Sequence, residues 1–157
     1  MPLSHTPRPM PSPSPSSPPC ACGRLRRATR ALTQLYDDAM APAELRVTQF
    51  SLLSTLARSG PMRISELAAA QLLDRTALSR NLDPLVERGL VHIAPGRDAR
   101  TREIELTRPG RAALRGAMPC WERAQKQVAK RLGTSKLEAL IAMLSEVEAL
   151  HPDAVER

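Results

Sequence analysis

Residues 64–110 read ISELAAAQLLDRTALSRNLDPLVERGLVHIAPGRDARTREIELTRPG, and this stretch decides the fold. Ile64, Leu67 and Ala68 repeat at helical spacing, which predicts a short helix over 64–71. Leu72-Leu73 then makes a turn. Asp74 is a good N-cap for a second helix, reaching residue 88, with Leu78, Leu82, Leu85 and Val86 as its buried side. Gly89 supplies the left-handed position that ends it. Pro84 falls inside this helix and removes the bond to the Arg80 carbonyl, so a bend is expected there. The apolar spacing continues on both sides of the proline, and the helix is kept. After Gly89 the period changes from helical to alternating. Residues 90–94 alternate weakly with His92 outward. Residues 102–106 alternate cleanly, with Ile104 and Leu106 on one face and Glu103 and Glu105 on the other. Between them lies a turn rich in Gly, Pro and charge, residues 95–100.

Working outward, the flanks are helical. Leu25, Ala28, Leu32, Leu35 and Ala39 make one narrow apolar stripe over 23–40, and Ala41-Pro42 ends it. Thr48 is the expected N-cap of a helix to residue 58, with Phe50, Leu52, Leu53 and Leu56 inward, stopped by Gly60-Pro61. Downstream, Thr107 caps a long helix to residue 132, and Pro109 sits in its first turn, where a missing N–H costs nothing. Leu114, Met118, Trp121, Gln125, Val128 and Leu132 trace its seam, with Ala117 and Ala124 beside it and a second kink expected at Pro119. Ser135 and Glu138 read as a capping box for a last helix, striped by Leu137, Leu140, Ile141, Leu144 and Val147. Three long helices have too few core partners within one chain, so their seams are expected to pack against a second copy.

Composition agrees with a mainly α fold. The 157 residues hold one Phe, one Tyr and one Trp, so Leu and Ala must build the core. That disfavours a β-sandwich or barrel and favours helices. No apolar run approaches the roughly 18 residues of a membrane span. No apolar segment near the start reads as a signal peptide, and three cysteines do not make a secreted disulfide framework, so a cytoplasmic protein is expected. Residues 1–19 carry eight of the fifteen prolines and read as a disordered tail. Residues 152–157 read as a second, short tail.

The net charge is +7, carried by Arg far more than Lys. Arg offers a planar fork of donors suited to phosphate and guanine edges. A high-GC genome would give the same excess, so the total leaves both open. Its distribution says more. Residues 97–115 carry six Arg against three acids, whereas acids dominate from Ser135 onward. In the second helix of the central pair, Asp74, Arg75, Thr76, Ser79 and Arg80 form a polar face opposite Leu78 and Leu82. A major groove about 12 Å wide admits such a helix. Arg97, Arg100 and Arg102 on the hairpin turn could reach the neighbouring minor groove. A solvated helix face and a merely soluble hairpin are the plainer alternatives. The chain lacks a Gly-rich phosphate loop, a nucleophile motif and a paired-carboxylate site, so it is not expected to be an enzyme. No cofactor is expected.

With these residues in view, the sequence resembles a MarR-family winged helix-turn-helix regulator over roughly residues 22–150. The most specific match is Asp98-Ala99-Arg100, five residues, Leu106-Thr107, two residues, then Gly110. Leu82, Leu85, Glu87, Gly89, Leu90 and Val91 precede it at the family's usual positions. The resemblance implies a homodimer held by the first and last two helices. It also implies a near-palindromic duplex operator, repression, and a wing in which Asp98 positions Arg100 on DNA. Arg63, in place of a Ser/Thr cap, and Pro84 depart from the pattern. The expected organisation is a tail (1–19), a dimerisation helix (20–47), a winged helix-turn-helix region (48–107), dimerisation helices (108–151) and a tail (152–157).

The signal is less legible. Cys22, followed by Leu25 and Tyr36, resembles the thiol-based, organic-hydroperoxide-sensing branch of the family, with Val47 where that branch has a second tyrosine. By that resemblance Cys120 could pair with Cys22 of the other subunit. Arg24, Arg26, Arg27 and an expected helix N-terminus lie close to Cys22 along the sequence. Other readings stand beside it: a thiophilic metal or metalloid held by Cys20, Cys22 and Cys120, a small aromatic acid as effector, or three incidental cysteines. An interaction protein that kept the fold and lost DNA binding is a further alternative.

Overall fold

The computed structural model describes residues 20–96, 98 and 100–152. The expectations placed on residues 1–19, on Arg97 and on residues 153–157 lie outside the described residues. The chain runs α1 (Ala21–Met40), a 3-10 turn (Ala41–Ala43), α2 (Val47–Ser59), β1 (Met62–Arg63), α3 (Ile64–Ala70), α4 (Arg75–Glu87), β2 (Val91–Pro95), β3 (Arg102–Leu106), α5 (Arg108–Leu132) and α6 (Thr134–Glu148). The mainly helical fold with a small hairpin wing is therefore what forms.

The core is aliphatic, as the aromatic-poor composition requires. Met40, Leu52, Leu53, Leu56, Leu67, Leu78, Leu85 and Ile104 are essentially sealed from solvent. Phe50 and Trp121 stack with ring centroids 5.8 Å apart, joining α2 to α5. The expected hairpin is part of a three-stranded antiparallel sheet in the order β1-β3-β2. Ile93 faces Ile104, and Val91 faces Leu106. The two-residue strand β1 was not expected, because two residues are too short to show alternation. It adds Met62 opposite Ile104 and Arg63 opposite Glu103.

Several boundaries move, each for a local reason. Helix α2 begins at Val47, not behind a Thr48 cap. The Asp37 carboxylate, from α1, accepts the Val47 N–H at 2.8 Å and replaces a local cap. Ser135 does not cap α6, which starts at Thr134 behind Gly133. Val86 is 40% exposed rather than buried, because it lies on the outer side of the last turn of α4. Met118 and Leu132 also lie outside the α5 seam, and Ile141 and Val147 of α6 stay exposed. Helices α4 and α5 run through Pro84 and Pro119 as single elements.

Thr107 and Gly110 close the base of the wing. The Thr107 hydroxyl donates to the carbonyls of Gly89 at 2.7 Å and Leu90 at 2.9 Å, and it accepts the Gly110 N–H at 3.1 Å. A Cβ on residue 110 would collide with the Leu90 carbonyl and with Leu106 Cδ1. The Leu-Thr-x-x-Gly spacing thus has a steric cause: backbone meets backbone at Gly110.

Candidate nucleic-acid interface

The turn between α3 and α4 places the candidate reading helix. Leu72 adopts a left-handed backbone (φ 49°), which is unfavourable for a side chain of its size. The neighbourhood holds it there. The Leu73 N–H donates to the Ala68 carbonyl at 2.9 Å. Gln71 accepts from the Ser51 hydroxyl and donates to the Thr55 hydroxyl, both at 2.9 Å, tying the turn to α2. Asp74 then caps α4 as expected, its carboxylate accepting the Ala77 N–H at 2.8 Å.

This geometry puts Arg75, Thr76, Ser79 and Arg80 on the exposed side of α4, opposite buried Leu78, Leu82 and Leu85. The wing turn is organised by Asp98. Its carboxylate accepts the Arg100 N–H at 3.0 Å, and its carbonyl accepts both the N–H and the hydroxyl of Thr101 at 2.8 Å. Arg100 and Arg102 are exposed beside it. A cleft of about 750 Å³ separates α3 and α4 from the wing. Arg75 and Ser79 line one wall, and Arg100 and Arg102 line the other. Thr76 and Arg80 do not line it.

Sequence reasoning missed Arg63, which also lines this cleft. It had registered only as a poor cap for α3. The α3 terminus is instead served by Glu66, whose carboxylate accepts the Arg63 N–H at 2.8 Å and leaves the guanidinium exposed. Its signal was its place just before the supporting helix, but only the β1–β3 pairing brings it to the wing.

The candidate sensing residues do not assemble within one chain. Cys20 and Cys22 are exposed at the start of α1, whereas Cys120 is buried. Cys120 Sγ and the Ala39 carbonyl share the Arg123 guanidinium, at 3.1 and 3.4 Å. Cys22 therefore lies about 25 Å along α1 from the end where Cys120 sits. Tyr36 is about 21 Å from Cys22 by the same count. Its hydroxyl donates to Gln125 at 2.8 Å, and burial raises its pKa. The idea of one metal held by all three cysteines within a chain fails on this separation. Among the described residues, no group of three or more His, Cys, Asp or Glu could hold a metal ion.

Comparison with known proteins places this geometry. Residues 43–101, from the end of the 3-10 turn through β2 and into the wing turn, match a MarR family model. The M. tuberculosis transcriptional regulator MosR, solved in complex with DNA, is 42% identical. The likeness covers 84% of this chain and 98% of that one, with a TM-score of 0.73. The chain belongs to the MarR family. It is a DNA-binding transcriptional regulator of winged helix-turn-helix fold, with α3 and α4 as the helix pair and β2–β3 as the wing. Other MarR-family relatives agree. An E. coli MarR mutant complexed with operator DNA is 25% identical, with a TM-score of 0.71, over 80% of this chain and 91% of that one. The transcriptional repressor NicR of Pseudomonas putida is 27% identical over 124 residues, 78% of each chain. No helix among the described residues is long and apolar enough to cross a membrane.

Proposed function

We propose that the protein is a homodimeric repressor that binds a near-palindromic operator, with α4 in the major groove and the wing against the adjacent minor groove. The carrying observation is the cleft that sets Arg75 and Ser79 across from Arg100 and Arg102. Arg75, Thr76, Ser79 and Arg80 read base edges or hold phosphates from α4. Arg100, with Arg97, acts from the wing turn and Arg102 from the start of β3, and Asp98 fixes that turn rather than touching DNA. Arg63 adds a phosphate contact at the same cleft.

Residues 20–47 and 108–151 form the dimerisation part, and residues 48–107 form the DNA-binding region. The apolar surface left on α6 supports this division. Ile141, Met143, Val147 and Leu150 are between 44% and 81% exposed, and no described residue of α6 is buried. Exposed apolar side chains of this kind are stabilised by a matching partner surface.

The effector is a small molecule or an oxidant. Exposed Cys22, in the first turn of α1, favours the oxidant. Pairing of Cys22 with Cys120 would have to join two copies, since one chain holds them apart, and buried Cys120 would have to become accessible.

A gel shift with DNA from upstream of the protein's own gene tests the function, followed by a footprint on the shifted duplex. A two-fold symmetric footprint is expected. No shift at low salt overturns the assignment. A non-reducing gel after peroxide tests the signal, with a dimer-sized band expected from the native chain and none from Cys22→Ser.

A further inference from the structure

Three elements converge on the short connection between α1 and α2. From α1, the Asp37 carboxylate accepts the Val47 N–H at 2.8 Å. From the end of α4, the Arg88 guanidinium donates to the Glu44 carbonyl at 2.6 Å. From α5, Arg123 donates to the Ala39 carbonyl at 3.4 Å. The connection itself is sharply bent, with Glu44 in a left-handed conformation (φ 52°) that a non-glycine residue adopts at a cost. Buried Met40 and Leu45 pin it on either side of that bend.

The pattern of partners is unusual for a helix start. The residue at the α2 N-cap position is Arg46, whose side chain has no acceptor to offer. The first turn of α2 contains no acid. Gln49 satisfies the Arg46 N–H at 3.1 Å, and the Asp37 carboxylate is the charged acceptor bonded to this helix end. The Arg46 guanidinium is 3.9 Å from Asp37 but three-quarters exposed, so that pair adds little. A local cap would have served α2 equally well. A cap borrowed from α1 also ties the two helices together, and Arg88 ties the end of α4 to the same bend.

We propose that Asp37 and Arg88 are positioning residues. Together they fix the angle between the α1 arm and α4, and so set the half-site spacing that a dimer accepts. The inference rests on the dimeric, operator-binding function proposed above. Neither residue needs to touch DNA. One base pair added between half-sites moves them apart by about 3.4 Å and turns them by about 35°. A clamped dimer must reject that change, and an unclamped one can follow it.

The test uses the full-length protein and the duplex defined by its footprint, with one base pair inserted or deleted at the centre. Fluorescence anisotropy gives the ratio of affinities for native and altered spacing. Asp37→Ala and Arg88→Ala are each expected to shrink that ratio by about fivefold, the scale of one lost cap. Asp37→Asn is expected to restore it, because its amide oxygen can still accept the Val47 N–H. A wild-type ratio in both alanine variants overturns the inference, as does an equal loss on every spacing. If Asp37→Ala does not fold, exposed Arg88→Ala decides alone. Failure of the parent function looks different: the wild-type protein itself would not bind the duplex, or would be monomeric.

Discussion

Arg80 carries the sharpest prediction at the scale of one residue. It is exposed on the same helical side as Thr76, one turn from it, and has no hydrogen bond or ion pair among the described residues. Arg80→Ala is expected to cost about 1–3 kcal/mol in operator affinity and to relax preference at one base position. Affinities measured over a set of single-base operator variants check this. Uniform weakening across the set would mean that Arg80 holds a phosphate. Tyr36 gives a pH prediction. Burial disfavours its ionised form, so its pKa is raised above the ordinary value. Unfolding releases the phenol to ionise at about pH 10. The stabilisation is thus complete below that pH and is lost as pH rises through the folded value. Denaturant midpoints on the alkaline side are expected to fall with pH, and to fall less steeply in Tyr36→Phe. A parallel decline in the two proteins would remove Tyr36 from the explanation.

At the scale of elements, the wing base is the part where sequence and geometry agree most closely. Gly110→Ala must push a methyl group into the Leu90 carbonyl, an overpacking expected to cost about 1–3 kcal/mol. Urea unfolding measures it, and an unchanged midpoint would show that α5 shifts freely at its start. Elements with local signals were legible: the Asp74 and Thr107 caps, the Gly89 stop, the alternation of residues 102–106 and the polar face of α4. What escaped depends on distant residues. The start of α2 could not be read correctly because its cap comes from Asp37, ten residues upstream and across a bend. Strand β1 exists only through its pairing with β3. Arg63 joins the site through that pairing, which its place just before α3 does not reveal. Val86 fits the apolar spacing of α4, but it lies on the outer side of the helix's last turn.

At the scale of the whole molecule, the folded chain leaves apolar side chains on α6 that one copy does not cover. Ile141→Asp changes a side chain that is 54% exposed, so it should scarcely affect the stability of one chain. It is expected to shift the sedimentation coefficient from dimer toward monomer and to weaken operator binding with it. A variant that remained dimeric would move the interface elsewhere. The charge layout belongs to this scale too. Arg63, Arg75, Arg100 and Arg102 gather at one cleft, and a dimer would present two such clefts to one duplex. Binding that neutralises about six to ten phosphates should lose roughly 10³- to 10⁵-fold in affinity between 50 and 200 mM salt. The most direct measurement is therefore operator affinity against salt for the wild-type protein and for Arg100→Ala/Arg102→Ala. A steep log–log slope is expected for the wild type, with a slope shallower by roughly 0.9 for each phosphate contact removed. Equal slopes for the two proteins would contradict a wing that grips DNA.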